Sequence, residues 1–304
     1  MNKFLFTIVN QGLEKHLKTE VESYFPNWKF AYSRPGFLTF KGGDGDTISH
    51  LWMSFRTGEV VRKLTLEELK DFMTSENIFW RREEDFIAPW PAEYELKKIV
   101  KNKTYFIVMM TDPDQFWLGK FKSSNNETGH LYGAKAELPE SSPSRAYLKI
   151  AEASALFELS FKDKTVVEFG SAPGGAVHYL LNDGANVIGV DPGEMDADIF
   201  KNKNYKHIKR PIEKCTRGDF PEKVDWVLSD INLPPSVVIR EIRQVFEKHP
   251  PEVGFIITLK MTKSDYVGRL ENFELQLKKL GFPKTNIRYF PSHKQEVMLM
   301  AQRG

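Results

Sequence analysis

The chain has 304 residues with 43 Lys and Arg against 41 Asp and Glu, and this near-balance excludes a global field that would drive it to nucleic acid or membrane, although a local basic face is compatible with it. A single cysteine, Cys215, excludes an internal disulfide, argues against a thiolate metal cluster and points to a reducing compartment, the cytoplasm. The length favours two domains. No apolar stretch is long enough to span a bilayer and the start lacks the pattern of a signal peptide, so a soluble protein is expected.

KFLFTIVN (Lys3 to Asn10) predicts a strand, GLEKHLKTEVESYF (Gly12 to Phe25) repeats apolar residues at helical spacing, and FLTFKGG predicts a second strand. Glu67 to Met73 predicts a helix, WRREEDFIAPWPAEY is irregular and aromatic, and Thr104 to Met110 predicts a strand, followed by a TDPD turn and one more strand at WLGKF. These pieces make a small mixed α/β domain over residues 1–136, which includes the polar, turn-prone stretch SSNNETGH. Regular alternation begins at Ser144 and defines a second domain, 137–304. SRAYLKIAEASALFEL predicts a helix with Leu148, Ala151, Ala155 and Leu159 facing inward. Strands follow at Val166–Phe169, Val187–Asp191, Trp226–Asp230 and Phe255–Lys260, with helices at Gly175–Leu181, Ser236–Glu247 and Tyr266–Lys279. IRYFP and EVMLMAQ close the chain as an apolar hairpin. The pattern is that of a parallel sheet with helices on both faces and a terminal antiparallel strand.

TVVEFGSAPGG (Thr165 to Gly175) runs from a buried strand into a glycine turn and then a helix, a unit whose bare backbone and helix N-terminus suit a bound ligand. NVIGVDPG then places Asp191 where an open α/β sheet puts the carboxylate that grips a ribose, and together the two imply a nucleoside cofactor. Ligands gather outside the carboxyl ends of parallel strands. Asp230 ends VDWVLSD, Lys260 ends GFIITLK, and Glu296 begins a strand running back from the same edge. Lys149, on the helix before the first strand, can lean over that rim. A lysine ending an apolar run needs acidic partners, and the opposing pulls of burial, lysine and carboxylate can leave a base near neutral pH.

SPSRAYLKIAEA, VVEFGSAPGG, VIGVDPGEM, WVLSDI, IITLKM and HKQEVMLMAQR, in that order, resemble the FtsJ-type RNA ribose 2′-O-methyltransferases. Within them the likeness is to the large-subunit ribosomal RNA cytidine 2′-O-methyltransferase M group, which has a similar SNN stretch before its SR-x-x-LK helix. The resemblance covers about residue 120 onward. It implies a Rossmann-like methyltransferase fold with a mostly parallel seven-stranded sheet and a C-terminal antiparallel hairpin, behind a ferredoxin-like, THUMP-like RNA-binding domain. It also implies S-adenosylmethionine as cofactor, RNA of the large-subunit 23S type as partner, no metal, and a Lys–Asp–Lys–Glu tetrad falling on Lys149, Asp230, Lys260 and Glu296, with Lys260 taking the ribose 2′-hydroxyl proton. Gly170, Ser171, Pro173, Gly174 and Gly175 would hold the methionine part and Asp191 the ribose, with Asp230 counted in both sets. The sequence departs from the family at Glu168, where aspartate is usual, at Ala176, which replaces a frequent aromatic, and after the third strand. There YKHIKRPIEKC offers Arg210 and Pro211, with Glu213 as a stand-in for the acid near the adenine.

A glycine turn alone is shared with dehydrogenases, but a clean G-x-G-x-x-G is absent and the terminal hairpin favours a methyltransferase. The basic run Lys201 to Arg210 and Arg145 are candidates for RNA phosphate, against the plainer readings of a solvated face and an ion pair. Trp80, Trp90 and Trp117 are candidates for stacking on bases, against core packing. Cys215 is read as a small, partly buried residue. The rival functions are a catalytically decayed RNA-binding or assembly protein, and the same chemistry on transfer RNA or a messenger cap. A monomer is expected.

Overall fold

The computed structural model describes residues 3–42, 51–72, 78–81, 103–112, 115–122 and 136–304. By its internal contacts the chain divides into two units, Met1–Ala134 and Lys135–Gly304.

In the first unit the elements run β1 (Lys3–Ile8), α1 (Glu14–Tyr24), β2 (Lys29–Arg34), β3 (Phe37–Gly42), β4 (Arg56–Leu64), α2 (Leu66–Phe72), β5 (Ile78–Arg81), β6 (Thr104–Asp112) and β7 (Gln115–Lys122). They form a seven-stranded sheet in the order β2-β3-β1-β4-β7-β6-β5, antiparallel throughout except for the β5–β6 pair. β1 is buried from Leu5 to Ile8, on both faces, because apolar side chains leave it on either side. Leu17 and Val21 anchor α1, and the buried Glu20 ties it to the following segment by accepting from the Trp52 N–H at 2.5 Å and the Met53 N–H at 2.9 Å. Trp117 is a core residue and not a base-stacking platform: it is 7% exposed, its ring stacks on Tyr32 at 5.4 Å, and the Lys63 ammonium caps it at 4.6 Å. Trp80 lies in β5, its side chain outside the described residues, as are Trp90 and SSNNETGH.

The second unit runs α3 (Ala146–Phe157), β8 (Thr165–Phe169), α4 (Gly175–Asn182), β9 (Asn186–Val190), α5 (Ala197–Phe200), β10 (Tyr205–Ile208), β11 (Trp226–Ser229), α6 (Pro235–Phe246), β12 (Gly254–Lys260), α7 (Leu270–Lys279), β13 (Lys284–Arg288) and β14 (Glu296–Gln302). Its sheet order is β10-β9-β8-β11-β12-β14-β13, with β14 antiparallel to both neighbours and every other pair parallel. This is the expected Rossmann-like arrangement, a mostly parallel seven-stranded sheet with a C-terminal antiparallel hairpin. The chain steps outward from β8 to β10 and returns to start β11 on the other side of β8, so a switch point opens at the carboxyl ends of β8 and β11. Val166, Val167, Trp226, Val227, Ile256 and Met298 are buried, each worth about 1.5–3 kcal/mol for an aliphatic side chain removed from water.

Three local expectations are corrected. α3 buries Ile150 and Ala153 and leaves Ala155 exposed, because the helix is apolar on every side and its sequence admits more than one inward stripe. The segment from Ser264 to Arg269 is a 3-10 helix, with α-helix beginning at Leu270. The penultimate strand ends at Arg288, and Tyr289 and Phe290 are buried beyond it. Among the described residues, no helix is long and apolar enough to cross a membrane.

Candidate active site

The strand β12 ends on Lys260 and β14 begins on Glu296, and the antiparallel register sets these two residues directly opposite each other. Asp230 follows β11 and is fixed by its N–H, which donates to the Phe169 carbonyl at the end of β8. Lys149 reaches the same point from α3. The four side chains close a ring. Lys149 Nζ lies 2.8 Å from Asp230 Oδ2 and 2.8 Å from Glu296 Oε1, and Lys260 Nζ lies 2.6 Å from Asp230 Oδ1 and 2.5 Å from Glu296 Oε2. Each ammonium therefore bridges both carboxylates, in a site where no side chain of the four is more than 17% exposed.

This geometry sets the direction in which Lys260 is shifted. Burial pulls its ammonium down, but Asp230 and Glu296 outweigh burial and hold it above the ordinary lysine range. The expectation of a lysine poised near neutral pH is therefore corrected for the ring as it stands: two acids in contact outweigh burial. Burial raises the Glu296 carboxyl, but Lys149, His293 and Lys260 more than reverse it and bring it to about 2.

The glycine turn lies beside the ring. Gly170 has φ +81°, and a side chain there would meet the Asp230 and Ile231 backbone at about 3.0 Å, so the turn after β8 and the turn after β11 touch. Gly174 has φ +116° and caps α4, and Pro173 follows a cis peptide bond. Gly175 serves packing: a Cβ would fall 2.6 Å from the Ser144 carbonyl, at the entry to α3. Ser171 is buried, its Oγ 3.6 Å from the Met195 sulfur. Asp191 organises the loop, with Oδ2 accepting from the Ala172 N–H at 3.2 Å and Oδ1 from the Gly193 N–H at 2.7 Å. Each oxygen keeps a further lone pair for a hydroxyl. Glu168 is buried directly before the turn. Glu213 is exposed in a short 3-10 turn after β10.

Glu152, Ser292 and His293, which carried no signal in the sequence, support the ring, together with Arg145. The buried Glu152 of α3 accepts from Ser292 N–H at 3.1 Å and Ser292 Oγ–H at 2.6 Å, and Arg145 Nη2 donates to the Ser292 carbonyl at 3.4 Å. Tyr289 Oη–H is shared between the His293 and Lys294 carbonyls at 3.0 Å each. His293 is buried, its Nδ1 accepts from the Phe290 N–H, and burial pulls it to about 4, so it is a neutral neighbour of Glu296. The basic run spends much of its charge locally: Lys201 pairs with Asp198, Lys209 with Glu194, and Arg210 with Asp219 at 3.0 Å. Cys215 is partly buried and its thiol is raised by burial.

Residues 143–266 match the sequence profile of the family described as FtsJ-like methyltransferase, a span that holds Lys149, Asp230 and Lys260 and stops before Glu296. The chain is 27% identical over 193 residues to a protein of Aeromonas salmonicida named ribosomal RNA large subunit methyltransferase M, covering 59% of this chain and 50% of that one. A protein of the same name from Tolumonas auensis is 28% identical over 158 residues, 49% of this chain and 43% of its own. An uncharacterised protein of Methanocaldococcus jannaschii is 32% identical over 149 residues, 48% of this chain and 41% of its own. The chain thus spans about half the length of the curated relatives it matches. The parallel sheet, the glycine turn at its switch point and the profile match over residues 143–266 together make the second unit similar to the FtsJ-like methyltransferases.

Proposed function

We propose that the protein methylates a ribose 2′-oxygen in RNA, with large-subunit ribosomal RNA as substrate and the first unit gripping the RNA. The observation that carries this reading is the closed ring of Lys149, Asp230, Lys260 and Glu296 beside the glycine turn. The names of the relatives support the choice of RNA.

The residues present fit the donor. Gly170, Ser171, Pro173, Gly174 and Gly175 would hold its methionine part, and Asp191 its ribose diol. The turn bends through left-handed glycines, and Asp191 keeps lone pairs beyond those given to Ala172 and Gly193. When bound, S-adenosylmethionine supplies a methyl group on a sulfonium, a good leaving centre. What the chain must add is alignment and removal of one proton. Lys260 is the base. In the ring it is an ammonium, so it gives up a proton before it accepts the one from the hydroxyl. Asp230 and Glu296 aim the lysine, and Lys149 stays paired with both acids.

Lys260→Ala should retain donor binding in calorimetry and lose methyl transfer by about 10²-fold or more, the usual worth of a positioned base. Full transfer by Lys260→Ala would overturn the mechanism. Mapping ribose methylation in RNA from cells lacking the gene identifies the molecule and nucleotide, and a missing mark on transfer RNA or a cap instead would reassign the substrate.

A further inference from the structure

Glu168 stands next to the glycine turn and is 2% exposed. Its Oε2 has no hydrogen-bond partner among the described residues, nor does the buried Oγ of Ser229, and both residues line a cavity of about 10 Å³ shared with Lys149, Asp230 and Thr258. The charged and titratable groups facing Glu168 are Asp230 after β11, Asp191 after β9, Lys149 of α3 and Tyr205 of β10. Both lysines of the cleft are committed to Asp230 and Glu296. Among the described residues neither Glu168 nor Asp191 forms an ion pair, so the cleft holds more acid than base. An ionised, unpaired carboxylate at such depth is costly by several kcal/mol. Burial, followed by Asp230 and Asp191, accordingly pushes the Glu168 carboxyl well above the carboxylate range, against a smaller opposite pull from Lys149.

We propose that Glu168 is the counter-charge of the methyl donor, a neutral acid when the cleft holds no sulfonium and a carboxylate when it holds one. This rests on the reading of the cleft as the donor site. In the transfer, the hydroxyl oxygen bonds to the methyl carbon, the carbon–sulfur electron pair stays on sulfur, and the hydroxyl proton passes to Lys260. Glu168 releases a proton to solvent as donor binds and takes one back once the sulfur is a neutral thioether. Loss of the positive charge on sulfur is thereby matched by loss of the negative charge on Glu168, and the buried cleft is not left with an uncompensated carboxylate after each turnover.

The test is calorimetric titration of the full chain with S-adenosylmethionine and with S-adenosylhomocysteine, near neutral pH, in buffers of different ionisation enthalpy. Binding of the sulfonium form should release about one proton more than binding of the thioether. Glu168→Gln should bind both ligands and bring that difference close to zero, and Glu168→Asp should keep it. Equal proton counts for the two ligands in the unaltered protein would overturn the proposal without any variant being needed. So would a difference that survives in Glu168→Gln, or one that disappears only in Lys260→Ala, which would put the titrating proton on the lysine. Absence of binding by either ligand would overturn the donor site itself, whereas binding with equal proton counts overturns only the role of Glu168.

Discussion

Two carboxyl groups buried to a similar depth behave in opposite ways because of their neighbours. Glu296 touches two ammonium groups and is driven down to about 2, whereas Glu20 meets two backbone N–H groups among the described residues, and burial wins, lifting it to about 7. A folded-state pKa raised above the unfolded one gives stability that is full below about 4.5 and is lost as pH rises through about 7. The shift corresponds to about 3 kcal/mol. The melting temperature of the first unit should therefore fall over that interval, and Glu20→Gln should flatten the fall while costing one of the two bonds to Trp52 and Met53. A melting temperature independent of pH over the interval would refute it. At Gly175, an added methyl would lie 2.2 Å from Ser144 Oγ and 2.6 Å from its carbonyl, and the carbonyl cannot swing away as a side chain does. Gly175→Ala should cost about 1–3 kcal/mol and lower the melting temperature of the second unit by several degrees.

The segment between β13 and β14 delivers Glu296 to the ring, and α3 holds it there through Glu152. Glu152→Ala removes both bonds to Ser292 and should cost about 1–3 kcal/mol. It should lower methyl transfer while leaving donor affinity unchanged, because Glu152 holds the acid and not the glycine turn. A parallel loss of donor affinity in calorimetry would contradict that assignment. The same segment explains what the sequence left unread. Lys260 and Asp230 were legible because apolar runs ending in a charge mark the carboxyl edge of a parallel sheet. Glu152, Ser292 and His293 were not, since they meet across 140 residues of chain and depend on packing that no spacing encodes. β2 was missed because it is a largely exposed edge strand, and β4 because its charges and its irregularity between Val60 and Arg62 break the alternation. The inward face of α3 was misread for the contrary reason, an excess of apolar residues.

At the scale of the molecule, each unit has its own sheet and its own buried cluster, Phe6, Ile8, Phe37 and Ile107 in one and Val166, Val177, Trp226 and Ile256 in the other. Residues 135–304 produced alone should therefore melt cooperatively and bind the donor, and should bind RNA less tightly than the full chain if the first unit grips the substrate. Anisotropy titrations of both forms with an RNA fragment at several salt concentrations measure the difference, and equal affinities would remove the first unit from RNA recognition. The sheet order of the second unit also bears on how the ring is assembled. Lys149, Asp230 and Lys260 leave the ribosome in that order, but Glu296 comes last, on a strand that slots between β12 and β13, both synthesised before it. A nascent chain that has reached Lys260 holds two ammonium groups against one carboxylate, a triangle without its fourth corner. The ring is therefore complete only once β14 has inserted between β12 and β13.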